Sequence, residues 1–205
     1  MKRFVHTPAR HSPRLPNALA GVTALAVAAL WLLWPFLRPA IAPARGTTLV
    51  VVFDGYHRLD AAVARTRSLP LLLISCPLTG QPSAAQRRRA RSRPFWLLRQ
   101  GWDSSHQLTH LALWLRQPPA DLPPIGRVLL VSDSHHLPRL LPAARIALGS
   151  AGLTVATLTA STALPPPGPW PILRDSLRLQ LWRATGSTGA FLLPATLRAK
   201  QAACG

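Results

Sequence analysis

One uninterrupted apolar segment near the start of the chain limits what this protein can fold into. Residues 17–37 (NALAGVTALAVAALWLLWPFL) contain no charged side chain. A helix of this length would be about 30 Å long, which matches the hydrocarbon core of a bilayer. Trp31 and Trp34 stand near its end, where amphipathic rings prefer the membrane interface. The segment is therefore predicted to be a transmembrane anchor.

Two other interpretations of this segment remain open. The small-x-small pattern Ala40-Ile41-Ala42 is typical of signal-peptide cleavage sites. Against cleavage, the apolar run exceeds the usual ~7–15 residues, and Pro43 follows the pattern directly. A buried core helix is the second alternative, but a helix that is apolar on every face at this place in a chain is seldom of that kind. Length favours the anchor.

The charges before the anchor indicate its orientation. Lys2, Arg3, Arg10 and Arg14 precede it, and positively charged flanks stay on the cytoplasmic side of a membrane. We therefore expect the rest of the chain to lie on the non-cytoplasmic side. The predicted organisation is a basic segment at 1–16, the anchor at 17–37, a linker at 38–46, an α/β domain at 47–186 and a tail at 187–205.

Continuous apolar runs alternate with amphipathic segments in the rest of the chain. Four runs rich in Val, Leu and Ile are typical of strands buried on both faces, at residues 48–53, 70–75, 127–132 and 153–158. Helices are predicted at residues 58–67, 105–116 (with Ser105 as N-cap), 137–148 and 172–185, and residues 83–100 read as a helix-prone segment broken at Pro94. This alternation predicts a Rossmann-like α/β domain, a mainly parallel sheet flanked by helices. The N-terminal transmembrane helix precedes it.

The cysteines add nothing to this prediction. Cys76 and Cys204 are far apart in the sequence, and neither a metal-binding spacing nor a disulfide framework follows from them. The tail after residue 186 is expected to be loose.

The charge balance indicates anionic partners. The chain has 24 Lys and Arg against 6 acidic residues, all of them Asp, and a formal net charge of +18. Such a charge favours lipid headgroups, phosphorylated small molecules or nucleic acid. Nucleic acid is the weakest of these, because the chain has an anchor and lacks both a binding motif and interleaved aromatics. The densest basic cluster, residues 87–93, is either a membrane contact or a solvated loop.

Polar residues follow the predicted strands at one edge of the predicted sheet. In parallel sheets, ligands bind beyond the carboxyl ends of the strands. The candidate catalytic residues are His136, Arg139 and Asp54. The candidate ligand-binding residues are Gly55, Arg58, Ser75, Ser105, Ser132, Asp133 and Ser134.

His136 and Arg139 carry the chemistry of this hypothesis. Arg139 offers a planar fork for phosphate or carboxylate, and His136 can move a proton near neutral pH. The start of the helix that carries them adds positive potential. The alternative is that both side chains only cap and pack the turn.

Residues 127–148 (RVLLVSDSHHLPRLLPAARIAL) join a buried strand, a Ser-rich turn and the pair His136-x-x-Arg139. This stretch resembles the signature of the YdcF-like family. The turn that begins at Asp54 (DGYHRLDAAVA), the strand LLLISC, the helix start at residues 104–109 and the closing helix at 170–181 resemble that family in order and spacing. The resemblance covers about residues 47–186.

The resemblance implies a Rossmann-like domain behind a bacterial inner-membrane helix, with a role in envelope biogenesis. It implies an anionic or nucleotide-like ligand, or a lipid-linked phosphate, and, if the protein is an enzyme, a phosphate-handling or transferase-type activity. The family's Gly-rich turns are reduced here to Asp54-Gly55 and Ser75-Cys76-Pro77. A catalytically inactive binding or scaffold protein that keeps the fold is therefore the alternative.

A metal site is the remaining possibility. His106 and His110 share one face of a predicted helix, and His57 and His135 could join them. The pattern lacks the Glu of the zinc-protease motif, and the chain contains no Glu at all. We therefore predict no metal, and no particular cofactor follows from the sequence.

Overall fold

A computed structural model describes residues 15–76, 78, 81–161, 165–189 and 195–204. Lys2, Arg3, Arg10 and Arg14, from which the orientation of the anchor is predicted, lie outside the described residues. Pro77 lies outside them as well. The described chain forms two compact units, one ending at Leu33 and one beginning at Trp34.

The apolar segment forms a single helix, α1, from Leu15 to Ile41. It is longer than the predicted anchor at 17–37 and includes four residues of the predicted linker. Residues Leu19–Ile41 are long and apolar enough to cross a membrane, by length and composition, although a signal sequence has the same properties. α1 is thus the one candidate membrane span in the described part of the chain.

Strands and helices alternate after α1, as predicted. The strands are β1 (Thr47–Phe53), β2 (Leu71–Ile74), β3 (Phe95–Leu98), β4 (Ile125–Ser132) and β5 (Thr154–Thr159). The helices are α2 (Tyr56–Thr66), α3 (Ala84–Ala90), α4 (Ser104–Arg116), α5 (Leu137–Gly149), α6 (Pro169–Thr185) and α7 (Ala195–Ala203).

The five strands form one all-parallel sheet in the order β3-β2-β1-β4-β5. β1 is central: Val51 pairs with Leu72 of β2 and with Leu130 of β4. The chain first adds β2 and β3 on one side of β1 and then adds β4 and β5 on its other side. The strand order therefore reverses between β1 and β4. The α/β fold class predicted from the sequence is confirmed.

Both faces of the central strands are covered. Leu49, Val51 and Phe53 point into a core with α4, α5 and α6, whereas Val50 and Val52 pack with α2 and α3. All five side chains are 3% exposed or less. Burial on both faces explains why β1 reads as a continuous apolar run rather than an alternating one.

The prediction for residues 83–100 was right for the part before Pro94 and wrong for the part after it. Only Ala84–Ala90 is helical, and its start carries a capping box in which Ser83 and Gln86 bond each other's backbone N–H. Pro94 cannot continue a helix, and Phe95–Leu98 instead forms the edge strand β3. β3 is partly exposed along its length, so it shows none of the strong burial pattern of the inner strands.

The prediction of a loose tail was also wrong for the residues described there. Residues 195–203 form α7, and Cys204 forms a disulfide with Cys76, with a Cα–Cα distance of 5.0 Å. The backbone N–H of Gly101 donates to the carbonyl of Cys204 (3.0 Å). The end of the chain is therefore fixed to the loop that follows β2.

The last turns of α1 pack against α5 within the second unit. Pro35 is buried, and a Cβ added to Gly149 would lie 1.8 Å from the Pro35 carbonyl oxygen. Only glycine allows this approach of the two backbones. The helical residues from Trp34 onward therefore belong structurally with the α/β domain.

Candidate functional site

A polar cavity of about 290 Å³ lies where the strand order reverses, beyond the carboxyl ends of β1 and β4. Such switch points are where open α/β sheets bind ligands. The cavity is lined by Phe53, Asp54, Arg58, Trp102, Asp103, Ser104, Gln107, Ser132, His136, Arg139 and Leu140.

Asp54 holds an unusual backbone conformation at the end of β1. Its φ of 38° is positive, which is uncommon for a residue with a side chain and costs on the order of 1–3 kcal/mol. Its carboxylate accepts hydrogen bonds from Gln107 Nε2 (2.5 Å) and from the backbone N–H of Cys76 (3.3 Å). The surroundings therefore fix the Asp54 carboxylate in the cavity wall.

Arg58 is tied to a buried carboxylate behind the cavity. Its Nε and Nη2 donate to Asp133 Oδ2 (2.9 and 2.7 Å), and His57 Nε2 lies 3.1 Å from Asp133 Oδ1. Burial works to raise the pKa of Asp133, but hydrogen bonds and charge from Arg58 and His57 outweigh it and hold that pKa below its usual value. The charge of Arg58 is thus compensated inside the protein.

Arg139 is shared between a buried aspartate and the start of α4. Its Nε lies 3.0 Å from Asp175 Oδ2, and its Nη2 donates to Ser104 Oγ (3.0 Å). Asp175 is only 2% exposed and also pairs with Arg174. This arrangement turns the guanidinium of Arg139 toward the cavity wall and gives it one fixed orientation.

Asp103 places the start of α4 at the cavity. Asp103, and not Ser105 as predicted, is the N-cap: its side chain accepts from the backbone N–H of His106 (2.8 Å). The backbone N–H groups of Ser104 and Ser105 occupy the first turn, where a helix supplies no acceptor. Arg178 Nη1 donates to Asp103 Oδ2 (2.6 Å) and so compensates the charge of the cap.

His136 is neutral at physiological pH. Burial, together with the nearby charges of Arg58, His135 and Arg139, lowers the pKa of His136 to about 4, against a weaker opposing effect of Asp133. A neutral imidazole offers one donor and one acceptor, so His136 can hydrogen-bond a ligand. With its pKa lowered to about 4, His136 is a weaker proton acceptor near neutral pH than the sequence led us to expect.

This lowered pKa predicts how stability varies with acid. Between pH 4 and 6.5 the unfolded chain binds a proton at His136 that the folded chain does not, so stability falls as pH falls through that window. We expect His136→Asn to reduce the stability lost between pH 6.5 and pH 4 by about 1–2 kcal/mol, measured as the free energy of unfolding at several pH values. Some slope should remain, because the pKa of His106 is also lowered. An unchanged slope in the variant would contradict the assignment.

The cavity brings together only part of the residues predicted from the sequence. Asp54, Arg58, Ser132, His136 and Arg139 line it. The remaining candidates are not among its lining residues: Gly55, Ser75, Ser105, Asp133 and Ser134.

Four polar or aromatic lining residues from the α4 region were missed: Trp102, Asp103, Ser104 and Gln107. The turn Gly101-Trp102-Asp103 could have indicated them. Asp is a preferred N-cap residue, so Asp103 marks a possible helix start.

The two histidines of α4 lie close to each other. The rings of His106 and His110 lie 5.1 Å apart. Within the described residues, no group of three or more His, Cys, Asp or Glu side chains is arranged to hold a metal ion.

Fold and cavity define the class of protein: a Rossmann-like α/β domain with a polar cavity at the switch point of its sheet, preceded by a candidate membrane helix. No model of a known protein family matches the chain, and neither a curated protein nor a solved structure does.

Proposed function

We propose that this protein is a membrane-anchored, YdcF-like domain protein of the bacterial envelope that binds an anionic, nucleotide-like small molecule in the cavity at the carboxyl ends of the strands. The observation that carries the proposal is the position of Arg139 and His136 opposite the first turn of α4. A guanidinium held by Ser104, a neutral imidazole and two helix N–H groups supply the donors that a phosphate needs.

An unsatisfied polar atom of the cavity lining supports this proposal. Trp102 lines the cavity, and its Nε1 is buried without a hydrogen-bond partner in the described part of the chain. Buried polar groups are nearly always paired, so such an atom marks a place where water or a ligand bonds. Trp102 also gives the cavity an aromatic wall, against which a base could pack.

The disulfide supports the predicted side of the membrane. Disulfides persist in oxidising compartments and are rare in the cytosol. The Cys76–Cys204 bond is therefore consistent with a domain on the non-cytoplasmic side of the inner membrane.

Ligand binding tests the proposal. We expect the detergent-solubilised full chain to bind inorganic pyrophosphate or nucleoside diphosphates in equilibrium titrations. Arg139→Lys should weaken binding about tenfold or more, because an ammonium keeps the charge beside Asp175 but loses the bidentate fork.

Arg127→Lys is the matched control for this titration. Arg127 is exposed near the start of β4, at the opposite edge of the sheet, and its replacement should leave affinity unchanged. Equal affinity of the Arg139→Lys protein and the unmodified chain would reject the proposed site.

One observation favours a silent scaffold as the second candidate. The guanidinium groups of Arg58 and Arg139 are each paired with an aspartate of the protein itself, Asp133 and Asp175. Such pairs can serve the fold alone. The absence of binding for every phosphate-bearing probe would favour this candidate.

A further inference from the structure

A second cavity lies at the opposite edge of the sheet from the polar site. It has a volume of about 610 Å³ and is walled largely by Ala112, Leu122, Ile125, Ala147, Leu148 and Leu153. These residues come from the end of α4, the connection to β4, and the region where α5 leads into β5. Helix carboxyl ends and strand amino ends meet there, so this is the amino edge of the sheet.

The size and lining of this cavity indicate an apolar ligand. Protein interiors pack densely and keep few voids larger than a water molecule. A concave space of several hundred Å³ lined by apolar side chains is typical of small-molecule sites. Its one charged lining residue is Arg116, whose guanidinium also lies over the ring of Trp182 (5.6 Å).

Chain connectivity places the cavity close to Ile41, the last residue of the candidate membrane span. Ala44 lines it, only three residues after Ile41, where the span ends. Three residues reach at most about 11 Å. A groove of about 340 Å³ between Pro35, Phe36 and Arg145 shares the wall residue Leu153 with the cavity. Apolar surface thus continues from the end of α1 into the cavity.

Positive charge is concentrated at this edge. Six exposed arginines lie at helix carboxyl ends, strand starts or the linker: Arg45, Arg67, Arg88, Arg91, Arg116 and Arg127. Asp121, in the connection between α4 and β4, is an exposed acidic residue of the same edge. At the carboxyl edge, Arg58, Arg139, Arg174 and Arg178 pair with aspartates, and Arg99, after β3, is exposed. The amino edge therefore matches a surface of opposite charge.

We propose that the amino-edge cavity binds one acyl chain of an anionic membrane phospholipid, whose headgroup meets Arg116 at the rim. This inference rests on the membrane anchoring in the proposed function. The cavity supplies the apolar contact, and the surrounding arginines select negative headgroups.

Photo-crosslinking in vesicles tests this inference. The full chain is inserted into phosphatidylcholine vesicles with phosphatidylglycerol that carries a photoactivatable group in its acyl chain. We expect crosslinks on the cavity wall, around Leu122 and Leu153, in addition to α1. Ala151→Trp, a change at an exposed residue of the lining, should fill the cavity and remove most of the wall crosslinks. Crosslinks confined to α1 would overturn the inference.

Two variants control this experiment. Ala64→Trp, at an exposed alanine of α2 outside the cavity, should keep the crosslinks. Arg116→Gln should lower the preference for phosphatidylglycerol over phosphatidylcholine about fivefold. If Ala151→Trp and Ala64→Trp gave the same yield of crosslinks on the cavity wall, the result would contradict lipid binding in the cavity.

Alkaline extraction separates the two proposals. A chain that stays in the vesicles but is not labelled at the cavity contradicts only the lipid site. A chain that is extracted contradicts the anchoring as well. Arg139→Lys should not change the labelling, because the phosphate site lies at the other edge.

Discussion

Replacing Cys204 by Ser is expected to lower the free energy of unfolding by about 3–5 kcal/mol. The disulfide with Cys76 closes a loop with a sequence separation of 128 residues, and a loop of that length restricts the unfolded chain strongly. Denaturant unfolding of the full chain in detergent, followed by tryptophan fluorescence, measures the change.

The reduced protein is the control for this measurement. Treatment with a thiol reductant should lower the stability of the unmodified chain to that of Cys204→Ser and leave the variant unchanged. A Cys76→Ser variant should match Cys204→Ser, because each removes the same bond. Equal stability of all forms would show that the bond contributes nothing.

Replacing Arg58 by Leu is expected to cost about 3–5 kcal/mol at neutral pH. Asp133 is 5% exposed and takes two hydrogen bonds from Arg58, so the variant leaves a buried carboxylate beside the His57 imidazole without its guanidinium partner. The loss should appear as a lower midpoint of denaturant unfolding.

The loss of unfolding free energy in Arg58→Leu should be smaller at low pH. The pKa of Asp133 is lowered in the folded protein, so the stability from its pairing is present above the usual aspartate pKa and is lost as pH falls through the folded value. The gap between the unmodified chain and Arg58→Leu should therefore narrow below about pH 4. Arg58→Leu combined with Asp133→Asn should recover part of the stability, and a double variant no better than the single one would contradict a pairing role.

The inner strands could be predicted from the sequence because they are buried on both faces. β1, β2 and β4 read as continuous Val, Leu and Ile runs, and each turned out to be a strand of the parallel sheet. β3 gave no such signal, because its four residues are partly exposed at the sheet edge and follow an arginine-rich helix. Tertiary pairing with β2, rather than local pattern, makes Phe95–Leu98 a strand.

Only those residues of the polar cavity that lie at strand ends could be predicted from the sequence. Asp54 and His136 follow strands and Ser132 ends one, so a parallel sheet was expected to place them at the same edge. The pairing of Arg58 with Asp133 joins two turns 75 residues apart and has no local signal. The contribution of Gln107 depends on Gly101, whose φ of 89° allows α4 to start against it.

The bond between Cys76 and Cys204 also links α7 to the polar cavity at the carboxyl edge of the sheet. Cys76 donates its N–H to Asp54, Cys204 accepts the N–H of Gly101, and Gln107 bonds both Asp54 and Gly101. A protein cut before Cys204 would keep every side chain that lines the polar cavity and yet lose the brace behind its strained aspartate. Trimming α7 to obtain a smaller domain would therefore disturb the polar cavity itself.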